Sequence, residues 1–165
     1  MNDNNTSRGG ASVGYLSNLS DIEHLAVRYL RLWCDGAAGK HQVEHDFHLA
    51  LGVGHGTRAT HCLAEICELC TQHGRRPLVR HQISCRCLGA DESCFANFVS
   101  AAAEGQHEDA ALIATLLVRA DYAIGLADLA REFGLALKRI SPQSLPKSRS
   151  RSQVRASSPF PHLIH

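Results

Sequence analysis

Five of the seven cysteines fall within 28 residues, as Cys67-x2-Cys70 and Cys85-x-Cys87-x6-Cys94, with His73 and His81 between them. Thiolate and imidazole are the donors zinc prefers, and a structural zinc site takes four of them tetrahedrally. Four thiolates would also suit an iron–sulfur cluster. In an extended segment Cys85 and Cys87 project to the same side as His81, and Cys94 lies in the first turn of the following helix. His81, Cys85, Cys87 and Cys94 are therefore the candidate metal ligands, and zinc the candidate cofactor. The competing reading is packing. Cys67 and Cys70 continue the apolar stripe of Leu63 and Ile66, where a free cysteine behaves as a small hydrophobe. Their mid-helix position and the Cys-x-Cys spacing both depart from common zinc sites, so core filling is the preferred reading for Cys67 and Cys70. A third reading, a reversible dithiol switch, requires exposed thiols of low pKa.

Other candidate groups are weaker. His41, His45 and His48 share one helix face, but Val43, Phe47 and Leu51 define the buried side, which leaves the histidines solvated. Arg75, Arg76, Arg80 and Arg86 surround the extended segment as a local basic patch that suits a phosphate or an acidic peptide. Residues 126–135 are similar to the second helix and turn of a helix-turn-helix motif, but Pro142 leaves little chain for a base-reading helix. There is no phosphate-cradling glycine loop and no His-Glu-x-x-His.

The elements that must carry these groups are legible from periodicity. Ser20 and Glu23 form a capping box ahead of Ile22, Leu25, Ala26, Tyr29, Leu30 and Trp33 at helical spacing, with Asp35-Gly36 as the stop. Further helices are predicted over about 38–51, 57–73, 91–104, 108–119 and 121–134. Over 78–88 and again over 135–140 the period falls to two, which predicts two short strands that pair. Residues 1–18 lack hydrophobic periodicity and are read as a disordered N-terminal tail. Residues 141–165, rich in Ser, Arg and Pro, are read as a disordered basic tail able to make weak nucleic acid contact. The expected fold is mainly α: a compact bundle of about six helices with a small two-stranded β element, forming a single domain over residues 19–140.

A formal charge of +1 gives no whole-chain attraction to nucleic acid or an anionic membrane. No apolar run reaches the roughly 20 residues of a membrane span, and the polar N-terminus has no signal-peptide core, so a cytoplasmic location with reduced thiols is expected. The segments His73-Gly74-Arg75-Arg76-Pro77-Leu78 and Cys87-Leu88-Gly89-Ala90-Asp91-Glu92 resemble small bacterial proteins to which no function is assigned; the resemblance implies no activity. The reading is a cytosolic regulatory or protein-interaction module with a protein partner, acting by binding rather than catalysis, with structural zinc on the cysteine cluster as its candidate site. The alternatives are a DNA-binding regulator through residues 126–140 and a thiol-based redox sensor or oxidoreductase.

Overall fold

The computed structural model describes residues 8–141. Six helices follow one another: α1 (Asp21–Trp33), α2 (Ala37–Leu51), α3 (Val53–Gln72), α4 (Ala90–Ala103), α5 (His107–Leu117) and α6 (Ala120–Ile140). A two-stranded antiparallel sheet pairs β1 (Ser12–Tyr15) with β2 (Cys87–Gly89), in the register Tyr15 to Cys87 and Gly14 to Leu88. The mainly α expectation holds, and α1 begins at the Ser20 capping box, where the Glu23 carboxylate accepts from the Ser20 N–H at 2.8 Å.

The core lies where α1, α3, α4 and α6 meet, around Phe47, Leu63, Ile66, Phe95, Phe98, Leu126, Phe133 and Leu137. Tyr29 packs edge-on against Phe47, their ring centroids 4.6 Å apart. Cys62 and Ala59 are buried on α3 beside Leu63 and Ile66, so the helical stripe read from sequence does face inward.

Three expectations are corrected. Residues 135–140 form no strand; they are the last turns of α6, whose buried positions Ala130, Phe133 and Leu137 keep helical spacing. Gly134 does not end that helix. It lies where α6 crosses α4 so closely that a Cβ would sit 2.6 Å from the Ala103 Cβ and 3.0 Å from the Val99 carbonyl oxygen. Residues 126–140 are therefore one continuous helix, with no turn to separate two helices of a DNA-reading pair. The third correction concerns residues 8–18, the described part of the expected N-terminal tail. Besides β1 they supply a 3₁₀ turn (Leu16–Asn18), and Leu16 and Leu19 pack on Val27, Leu88 and Ala96. The carbonyls of Gly9 and Ala11 accept from the N–H groups of Asp91 and Ala90, satisfying donors that the start of α4 would otherwise leave orphaned. The basic run of residues 147–155 lies outside the described residues.

Candidate functional site

Between α3 and β2 the chain crosses the bundle as an irregular segment, residues 73–86, and its period-two stretch is not a strand. Two adjacent carboxylates take the place of a strand partner. Asp91 accepts from the Val79 N–H at 2.8 Å, and Glu92 from the His81 N–H at 2.9 Å. On the carbonyl side, Arg31 of α1 donates to the backbone oxygens of Gln82, Cys85 and Cys87 at 2.6–3.1 Å. Arg31 also grips Glu92 with two parallel hydrogen bonds, Nε to Oε1 at 2.7 Å and Nη2 to Oε2 at 2.8 Å. Both side chains of this pair are 1% exposed or less, and the geometry leaves none of their polar atoms unsatisfied.

Glu92 collects further donors, the Gly89 N–H at 2.9 Å and His81 Nδ1 at 3.0 Å. An ionised carboxylate only accepts, so His81 carries its proton on Nδ1. Burial by itself would push the Glu92 carboxyl up; the hydrogen bonds from Arg31, Gly89 and His81 outweigh it and hold the pKa at about 2. The near end of the segment is tied as well. Arg76 forms a two-pronged ion pair with Asp91, the Arg75 N–H donates to the Leu117 carbonyl, and His73 stacks on Tyr122 at 3.8 Å. Residues 73–86 thus form a roof fixed along its length.

Under that roof is a cavity of about 430 Å³. Its floor is Leu30 and Cys34 of α1 with Ile66, Cys67 and Cys70 of α3; Phe95 closes the back, and Arg75, Arg76 and Leu78 overhang it. A second cavity of about 510 Å³, lined by Trp33, Lys40, Glu68 and Gln72 among others, shares Cys34, Cys67 and Thr71 with the first. The two thiols are neighbours on that shared wall, and each shifts the titration of the other. Cys34 is the exposed member, at the C-terminal cap of α1; Cys67 is half-buried.

The pair is electrostatically unequal. The hydrogen bond from Cys67, helped by Arg80 and Lys40, outweighs burial and brings the Cys34 thiol down to about 6. The negative end of the α1 dipole opposes that shift, so the two cations matter. Both are anchored: Arg80 donates to the Cys34 carbonyl, and the Lys40 ammonium lies 5.1 Å from the Trp33 ring centroid. Cys67, the donor, is raised well above its ordinary value by the same hydrogen bond and then by burial. Burial pushes Cys70 up to about 12 and Cys62 to about 11. One thiolate therefore stands among protonated neighbours.

The sequence-derived ligand set is spread over separate environments. His81 is spent on Glu92; Cys85 precedes β2 and Cys87 opens it; Cys94 shares a different cavity with Cys70, Arg76 and Asp91. Among the described residues, no three or more His, Cys, Asp or Glu side chains are grouped to hold a metal ion. Likewise, no helix among them is long and apolar enough to cross a membrane.

Sequence reasoning missed both Cys34 and Arg31. Cys34 had a readable signal: it lies just past the last helical position, beside the Gly36 stop, where a thiol is neither in the apolar stripe nor in a strand. Arg31 follows the buried Val27 by four residues, a charge placed on an inward-facing row. No protein-family model matches this chain, and no curated protein or solved structure was found similar to it, so the chemistry of the site rests on its own geometry.

Proposed function

We propose that this protein is a thiol-based redox-responsive regulatory module, with Cys34 as the nucleophile and Cys67 as the resolving thiol. The observation that carries the reading is that Cys34, at the end of α1, and Cys67, on α3, together line both cavities. Two thiols on the same wall can close to the roughly 2.05 Å of a disulfide if the end of α1 shifts toward α3. A hydroperoxide supplies the two electron vacancies. The Cys34 thiolate attacks the nearer peroxide oxygen, the O–O bond breaks, and the departing oxyanion takes a proton from water. The Cys34 sulfenic acid then condenses with the Cys67 thiol, forming the disulfide and releasing water. Oxidation removes the negative charge that Arg80 and Lys40 face and draws α3 toward the end of α1. That couples the thiol chemistry to the shape of both cavities and to the hydrogen bond from Arg80, in the roof, to the Cys34 carbonyl.

Alkylation by iodoacetamide, followed by site-resolved mass spectrometry across a pH series, tests the nucleophile. Cys34 modification is expected to rise with an inflection near pH 6, well below the ordinary thiol range of about 8.5. Cys67→Ala removes the donor and is expected to move that inflection upward by at least one pH unit. An inflection near 8.5 in both proteins would overturn the assignment.

A further inference from the structure

The two cavities that meet at Cys34 differ in chemistry. The one under the roof is lined by Cys67, Cys70, Pro77 and Leu78, while Leu30, Ile66 and Phe95 at its wall are 3% exposed or less. Its polar side chains are largely committed: Arg76 to Asp91, Arg75 Nε to the Thr115 carbonyl, and the Thr71 hydroxyl to the Cys67 carbonyl. The other cavity is lined by Lys40, Glu68, Thr71 and Gln72. Cys34 thus stands between a chamber overhung by Pro77 and Leu78 and a second cavity that carries Lys40 and Glu68.

We infer that the oxidant read by this site is an organic hydroperoxide, its apolar group housed against Cys70, Pro77 and Leu78 with its peroxide oxygens at Cys34. The inference rests on the redox reading above and names the substrate class of the same site. Hydrogen peroxide fills a small fraction of about 430 Å³ and would give up hydrogen bonds to water against walls that return few of them. An alkyl or aryl group gains from leaving water, at about 25 cal/mol for each Å² removed. The fixed roof makes the chamber a standing feature, so binding does not have to create it. The balance for an organic peroxide is complete: the thiolate takes the terminal oxygen, the alkoxide leaves and is protonated by water to the alcohol, and condensation with Cys67 releases one water.

The test uses the reduced full-length chain and compares cumene hydroperoxide with hydrogen peroxide. The rate of Cys34–Cys67 disulfide formation is read by mass spectrometry and normalised to the rates of free cysteine with the same oxidants. The normalised rate with cumene hydroperoxide is expected to exceed that with hydrogen peroxide by tenfold or more. Cumyl alcohol, the product, should slow the cumene hydroperoxide reaction competitively in the unaltered protein. Leu78→Trp, which fills the chamber from the roof, should lower the normalised cumene hydroperoxide rate to that of hydrogen peroxide. Equal normalised rates, with the disulfide formed by both oxidants, would overturn the substrate class and leave the dithiol reading standing. No disulfide with either oxidant would overturn both.

Discussion

Replacing Glu92 by Ala is expected to lower the free energy of unfolding by about 3–5 kcal/mol, measured by urea denaturation at neutral pH. The mechanism is the stranding of a charge. Arg31 is 1% exposed and gives two of its donor groups to Glu92. Without that carboxylate, a guanidinium stays buried with only the Gln82, Cys85 and Cys87 carbonyls as acceptors. The N–H groups of Gly89 and His81 lose their partner at the same time. Substituting both members by apolar residues, Arg31→Met with Glu92→Leu, removes the stranded charge but orphans three carbonyls and two N–H groups. The double variant should therefore recover only part of the loss, unlike an isolated buried pair, which apolar residues can often replace without cost. Glu132→Ala provides the contrast. Its partner Arg58 is 71% exposed and water screens the pair, so the loss there should stay below about 1 kcal/mol.

The second large effect is acid sensitivity. The folded-state pKa of Glu92 is lowered to about 2, below its ordinary value near 4.5. A depressed carboxyl contributes stability that is fully present above the unfolded-state value and is lost as pH falls toward the folded one. The loss is therefore expected between about pH 4.5 and pH 2. Each tenfold difference in proton affinity between the folded and unfolded chain is worth about 1.4 kcal/mol, so this one group accounts for about 3 kcal/mol. Urea midpoints measured from pH 6 down to pH 2 should show it, and the same series on Glu92→Gln should be flatter through that window. Parallel profiles for the two proteins would mean that Glu92 is not the group that titrates.

These two effects mark where sequence reading stopped. The capping box at Ser20, the stripe on α3 and the number of helices were local patterns, carried by residues within a turn or two of each other. The roof was not local. Residues 79–83 alternate like a strand, and a strand needs N–H acceptors; here they come from Asp91 and Glu92, whose own sequence position reads simply as the acidic first turn of a helix. Arg31 lies 61 residues from Glu92, and nothing near it announces that a carboxylate will meet it. The terminal stretch 135–140 misled for a related reason: six residues fit either period, and tertiary packing on α4 decided for helix.

The candidate site divides the same way. The sequence drew attention to a cysteine cluster and weighed packing, metal and redox roles for it. Cys67 and Cys70 do continue the apolar row of α3, yet Cys67 also meets a thiol 33 positions earlier in the chain, supplied by the end of a different helix. A pairing of that kind is set by how α1 and α3 pack, and it was invisible to a search for closely spaced ligands.

Disulfide mapping of the oxidised full-length chain tests the central claim most directly. The reduced protein is treated with a small excess of cumene hydroperoxide near pH 7, remaining thiols are blocked, and peptides are analysed without reduction. The account predicts one dominant cross-link, Cys34 to Cys67, with Cys62 and Cys70 recovered as blocked thiols. It also predicts that Cys34→Ser abolishes the cross-link, whereas Cys67→Ser leaves Cys34 as a trappable sulfenic acid. A dominant Cys85–Cys87 cross-link with Cys34 still reduced would contradict it.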